Sequence, residues 1–147
     1  MNDDDNLPFS DNYFDLVFSI DVIEHVSDDK KFLAEQIRIL KSGGEIILGT
    51  PNYYRVSNLI LFLLGMLKYP RKLGVDNYGD IIHLREYKRS QLVELLDLFK
   101  DKIDSIKIIP VWLGISFLKI GFVVPPWVLG NLCHFWFVKF KKIDIKE

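Results

Sequence analysis

Three short segments of this 147-residue chain gather polar side chains at the borders of apolar runs. In a doubly wound sheet such borders lie beyond the strand ends, where ligands bind. The first is Asp3-Asp4-Asp5-Asn6-Leu7-Pro8-Phe9, whose carboxylates accept hydrogen bonds from amines and whose backbone amides donate to ring nitrogens. The second is Ser19-Ile20-Asp21-Val22-Ile23-Glu24-His25. Its imidazole can take a proton from a hydroxyl near neutral pH. Asp21, Glu24 and His25 on one turn could instead bind a divalent cation. The third is Thr50-Pro51-Asn52, where Asn52 can hydrogen-bond a substrate and Pro51 fixes the direction in which the chain leaves. Each segment also has a structural use: a solvated acidic terminus, a Glu24-His25 tether for a following helix, and a strand-to-helix turn capped by Asn52.

The elements that would position these groups follow from apolar periodicity. Tyr13 to Ile20 is aromatic and β-branched, and apolar on both faces, which predicts a strand covered by helices on both sides. Ser27 or Asp28 can cap a helix whose Leu33, Ile37 and Leu40 share a stripe. Gly43-Gly44 is expected to stop that helix through a left-handed cap. Glu45 to Thr50 is a second strand with Ile46, Ile47 and Leu48 buried, and a helix between two strands implies parallel pairing. Tyr53 to Leu67 is a strongly apolar helix with Val56, Leu59, Ile60, Leu63 and Leu67 on one face. Tyr69 to Gly79 is a loop. Ser90 to Lys100 is a helix with a Leu92, Leu95, Leu96, Phe99 stripe, and Ile103 to Trp112 is a third strand. An apolar connection broken by Pro125-Pro126 leads to a last strand, Cys133 to Phe140, read as buried on both faces.

Composition narrows the classes. Hydrophobic residues make up 49% and aromatic residues 14%, so a packed core rather than disorder is expected. The net charge of −1 gives no basic field for nucleic acid. Cys133 has no partner for an internal disulfide, and the chain carries no zinc spacing. A reducing cytoplasm fits best, and the acidic N-terminus lacks the apolar core of a signal peptide. Leu59 to Leu67 is too short to span a bilayer, and Val111 to Val138 is interrupted by glycines, prolines, Lys119 and His134.

The order Leu7-Pro8-Phe9, Phe14-Asp15-Leu16-Val17, Val22-Ile23-Glu24-His25, Leu40-Lys41-Ser42-Gly43-Gly44 and Thr50-Pro51-Asn52 resembles the second half of a class I S-adenosylmethionine-dependent methyltransferase of the type 11 kind. His83-Leu84-Arg85-Glu86-Tyr87, with Gln91-Leu92 to Leu96 after it, is similar to that family's entry into its last helix. The resemblance implies an α/β fold: a partial Rossmann-like sheet with flanking helices, made of strands 4-5-7-6 of the seven-stranded fold and open along its first strand. It implies one truncated domain over residues 1–147, with 53–87 as a substrate-cap insertion. It places Asp3 and Asp4 at the adenine, Ser19, Asp21 and Val22 beside the methionine part of S-adenosyl-L-methionine, and Thr50 and Asn52 at the acceptor. His25 and His83 become the candidate bases, while Arg85-Glu86 reads as a surface pair. No metal is assigned; the alternative is that Asp21-x-x-Glu24-His25 resembles the acidic-x-x-Glu-His pattern of ubiquinone-type O-methyltransferases, where it holds a divalent metal.

No glycine precedes Gly43. The glycine-rich loop that lets backbone approach the cofactor is therefore missing, as is the acidic residue that would hold the ribose. The expected activity is methyl transfer to an oxygen of a small or lipid-like acceptor; either the gene is split or truncated, or another chain supplies the upstream half. The competing expectation is a non-catalytic α/β remnant or interaction module. The apolar 53–67 helix, followed by Lys68, Arg71 and Lys72, adds an expectation of membrane-surface contact by a cytoplasmic protein.

Overall fold

A computed structural model describes residues 6–66, 83–111, 113–115, 120–122 and 130–144, with the backbone alone for 113–115 and 120–122. Asp3, Asp4, the 69–79 loop and the Pro125-Pro126 break lie outside the described residues.

Strand β1 spans Phe14–Ile20. Helix α1, Asp29–Ile39, starts where the Asp28 carboxylate accepts the Lys31 amide at 2.9 Å, satisfying one of the free donors of the first turn. Its end differs from expectation. Leu40 is already extended, with φ −79° and ψ 135°, so no glycine caps the helix. Strand β2 begins at once and runs Leu40–Pro51. The two glycines serve a bulge instead: pairing with β1 jumps from Phe14↔Leu40 to Leu16↔Glu45. Gly43 takes φ +72° there, and a Cβ on Gly44 would stand 2.8 Å from the Lys41 carbonyl oxygen. The buried side chain of Leu40 pulls the chain into the sheet before a cap can form.

Helix α2 is Val56–Leu63 and helix α3 is Arg89–Asp97. Strand β3 is Ile103–Val111, and β4, Leu113–Ile115, pairs with β5, Ile120–Phe122, as a separate hairpin. Strand β6, Phe135–Lys142, returns between β2 and β3. The main sheet runs β1-β2-β6-β3, with β1 parallel to β2 and β6 antiparallel to both neighbours. This is the 4-5-7-6 order that the resemblance implies.

The two faces of the sheet are unequal. One presents Val17, Ile46, Leu48, Trp136, Val138 and Phe140 to Leu33 and Ile37 of α1 and to Leu92, Leu95 and Leu96 of α3, forming a continuous core. Residues in register on the other face are Phe18 with Ile47, and Ile20 with Gly49, Phe137 and Ile109. Here Phe18 is 64% exposed and Leu16 is 53% exposed. The expectation of burial on both faces of β1 and β6 is thus met on one face only. Both α1 and α3 pack on the same side, and β1 forms an edge with no strand beyond it among the described residues.

Candidate active site

The parallel pairing of β1 and β2 brings their carboxyl ends to one rim. Just past β1, Asp21 sits at φ +54°, a left-handed conformation that Asp tolerates better than most residues. Its amide donates to the Gly49 carbonyl at 3.1 Å, which locks the turn to β2. The chain then folds into a 3-10 turn, Ile23–His25, with Ile23 and Glu24 buried.

Glu24 is the centre of the site. Its side chain is fully buried, and one carboxylate oxygen accepts from the Thr50 hydroxyl at 3.1 Å. Oε1 is buried with no hydrogen-bond partner. Burial pushes the carboxyl up to about 7, and the neighbouring Asp21 carboxylate adds to the rise against the opposing hydrogen bonds from backbone and Thr50. The Glu24 carbonyl accepts from the amides of Leu84 at 2.8 Å and Arg85 at 3.2 Å. A segment some sixty residues away is thereby fastened to the 3-10 turn, and His83 arrives beside His25. The two rings meet edge to face, 4.9 Å apart at 71°. One ligand-type atom from each of Glu24, His25 and His83 lies within 4.8 Å of the others.

A second polar layer fixes His83. Its Nδ1 lies 3.3 Å from Glu86 Oε1. Glu86 is buried, paired with Arg55 at 2.9 Å and hydrogen-bonded by the Asn58 amide at 3.0 Å. Arg85 and Glu86 are therefore not a surface pair: Arg85 bonds Asp29 at 2.7 Å on the α1 side, while Glu86 turns inward. Burial alone would raise the Asp29 carboxyl, but hydrogen bonds from Arg85 and Tyr87 outweigh it and hold it below the usual carboxylate range.

The other predicted residues divide by exposure. Asp21 is exposed and Val22 half-buried at the rim, whereas Ser19 is buried on the core side of β1. Thr50 is fully buried against Glu24. Asn52 is also fully buried; its amide donates to the carbonyls of Asn131 and Cys133, each at 2.8 Å, and its oxygen caps the Tyr54 amide at 3.1 Å. Both hold the rim together from behind. Asn52 pairs with Tyr87, and the Tyr87 carbonyl accepts from Trp136, which ties the 83–87 segment to β2 and β6.

Helix α2 departs from the expected stripe. Its fully buried residues are Ser57 and Asn58, Val56, Leu59 and Ile60 are half-buried, and Leu63 is 81% exposed, with Leu64 and Met66 also exposed. The Arg55–Asn58–Glu86 network was missed in sequence. Its only trace was the pair Ser57-Asn58, polar residues inside an otherwise apolar helix.

A family model described as a methyltransferase domain matches residues 1–48. The "Probable S-adenosylmethionine-dependent methyltransferase" of Mycolicibacterium smegmatis is 32% identical over 91 residues, covering 62% of this chain and 30% of that protein. The ubiquinone biosynthesis O-methyltransferase of Idiomarina loihiensis is 33% identical over 84 residues, covering 57% of this chain and 33% of its own length. The chain thus spans about a third of these relatives. Among solved structures, a SAM-dependent methyltransferase of Thermotoga maritima superposes with a TM-score of 0.64 at 22% identity, over 93% of this chain and 60% of that one. At that identity the likeness is one of fold. In sequence over its first 48 residues and in fold over nearly its whole length, the chain is similar to class I S-adenosylmethionine-dependent methyltransferases.

Proposed function

We propose that this chain forms the acceptor side of an S-adenosylmethionine-dependent methyltransferase that acts on an oxygen of a small or lipid-like molecule. The observation that carries the reading is the convergence of Asp21, Glu24, His25 and His83 on one rim at the carboxyl ends of β1 and β2. An alkyl sulfonium is already activated toward attack, so the protein's work is to align the acceptor and accept its proton. His25 and His83 have the chemistry for the proton, and the Glu86 carboxylate orients His83 through Nδ1. The buried Thr50 and Asn52 hold this geometry without touching the acceptor. Residues 53–87, which include α2, would cap it.

The residues of this chain do not by themselves fit the cofactor. These 147 residues hold no glycine before Gly43 from which a cofactor loop could be built, and Ser19 turns into the core. Asp21 and Val22 offer only one wall. We therefore assign the remaining wall to an α/β half, carried on the same polypeptide or on a second one, whose strand pairs with the free edge of β1 and whose helix covers Phe18 and Leu16. Two observations support that occupant: the apolar side chains left open on that face, and the two thirds of each curated relative that this chain does not span.

Calorimetric titration with S-adenosylhomocysteine tests the reading. Binding is expected only when the glycine-loop half of a relative is co-expressed with this chain. In that complex, labelled methyl transfer to phenolic acceptors should fall at least tenfold in His25→Ala and His83→Ala. No binding by the reconstituted pair would leave the non-catalytic module as the better reading. The exposed Leu63, Leu64 and Met66 favour, as a second reading, contact of α2 with a lipid surface. Among the described residues no helix is long and apolar enough to cross a membrane. Liposome flotation decides the point: a chain that stays at the bottom of the gradient has no such contact.

A further inference from the structure

We propose that Glu24, His25 and His83 bind one divalent first-row transition ion. The donor set is two imidazole nitrogens and one carboxylate oxygen, a combination suited to zinc, manganese, iron or cobalt rather than to an all-oxygen ion such as magnesium. The geometry is close to a binding arrangement as it stands. The three donor atoms lie within 4.8 Å of one another. Three donors on one such ion, each with a bond of about 2.1 Å, lie about 3.4 Å apart at tetrahedral angles, so closure requires each donor to move inward by roughly 0.8 Å.

Two further observations point to a ligand. Glu24 is fully buried, yet its Oε1 meets no hydrogen-bond donor, and His25 Nδ1 is buried and unpartnered as well. Buried polar atoms are rarely left unpaired because each costs on the order of 1–3 kcal/mol. Two such atoms from adjacent residues, beside a third donor, are accounted for together by a cation. The outer layer is also in place. Metal-bound histidines usually donate their other ring N–H to a carboxylate, and His83 Nδ1 stands 3.3 Å from Glu86 Oε1. That leaves Nε2 of His83 for the ion. Glu86 is in turn held by Arg55 and Asn58, so the ring orientation is fixed by three residues outside the site.

This ligand set differs from the Asp21, Glu24, His25 alternative that the family resemblance offers. Asp21 is exposed and falls outside the 4.8 Å group, and His83 takes its place. With the ion bound the two imidazoles are ligands and no longer proton acceptors; three protein donors leave coordination positions free, and an acceptor oxygen bound there would lose its proton to solvent more readily. That catalytic use rests on the methyl-transfer reading; ion binding does not.

The two are separated by measuring the ion directly. The full chain, stripped with chelator, is dialysed against zinc, manganese, cobalt or magnesium, and bound metal is counted by mass spectrometry alongside thermal unfolding. One equivalent of zinc or cobalt is expected, with a rise in Tm and with visible absorption from the cobalt form. Magnesium is expected to bind at least tenfold more weakly. His83→Ala and Glu24→Gln, checked for folding by circular dichroism, should each lose at least tenfold in affinity. Glu86→Gln, which leaves all three ligands intact, should lose roughly tenfold or more through the second layer. Absence of stoichiometric binding overturns the proposal, as does binding that survives both His25→Ala and His83→Ala. Ion binding without methyl transfer in the reconstituted pair would sink the methyltransferase reading and leave the metal site standing.

Discussion

Serine in place of Phe18 distinguishes an open sheet face from a buried one. Phe18 is 64% exposed, so about a third of its surface is covered. Full burial of such a side chain contributes roughly 1.5–3 kcal/mol, so Phe18→Ser should cost this chain about 0.5–1 kcal/mol. Leu16, at 53% exposure, sets a similar limit for Leu16→Ser. Leu48 sits one strand away on the opposite face at 3% exposure, and Leu48→Ala should cost 2–5 kcal/mol in the usual range of about that size for cavity-forming changes. Urea unfolding followed by circular dichroism, at constant m, gives all three values. If a glycine-loop half covers this face, it buries the exposed remainder of both side chains, worth about 2–3 kcal/mol together. The double serine variant should then weaken association roughly thirty- to hundred-and-fifty-fold, beyond the about 1–2 kcal/mol that it costs the chain alone. A loss above 2 kcal/mol from Phe18→Ser in the isolated chain would refute the reasoning, because it would mean that β1 is covered on both sides.

Glu24, raised to about 7 by burial, binds its proton more tightly in the folded chain than in the unfolded one. The stability this contributes is fully present below about pH 4.5 and is lost as pH rises through about 7, a span of about 3 kcal/mol for the shift involved. In chelator, Glu24→Gln should flatten that part of the stability–pH curve; parallel curves for the two proteins would contradict the burial argument. Glu86→Ala strips the buried Arg55, whose side chain is 13% exposed, of its carboxylate. A loss of about 3–5 kcal/mol is expected in the urea midpoint, with an unchanged midpoint as the contrary result. Cys133 is buried and pushed up to about 11 by that burial. Its native-state alkylation at pH 8 should run roughly a hundredfold slower than that of an unfolded control; comparable rates would place the thiol at the surface.

The strands could be read from the chain because each carries its own signal, whereas their order was implied by the family resemblance. Phe14–Ile20 and Phe135–Lys142 are aromatic and β-branched, and the α1 and α3 stripes identify which helix residues enter a core. Burial on the second face of β1 could not be read, because apolar alternation reports what a strand would bury if covered. It does not report whether a cover exists. The 3-10 turn could be located as a polar cluster. What escaped was its pairing with His83, which depends on two backbone hydrogen bonds to the Glu24 carbonyl across some sixty residues. No side-chain pattern encodes a contact made by main-chain atoms.

The orientation of α2 shows how a polar requirement can defeat a hydrophobic stripe. Val56, Leu59, Ile60 and Leu63 define an apolar face by spacing, yet the helix turns Ser57 and Asn58 inward. Two costs compete. Turning the leucine side to the core would gain roughly 1.5–3 kcal/mol per large side chain buried. It would also take Asn58 away from Glu86, whose carboxylate is fully buried and needs every donor near it. Weakening the solvation of a buried charge costs several kcal/mol. The Asn58 amide also reaches the Tyr53 carbonyl at 3.2 Å, which helps satisfy the helix entry. The polar anchor therefore sets the rotation of α2, and Leu63, Leu64 and Met66 are left facing out as a consequence of how His83 is held. On this argument Asn58→Leu should improve the periodicity of the helix and still destabilise the protein, whereas a stabilised variant would show that the stripe, not the site, governs the packing.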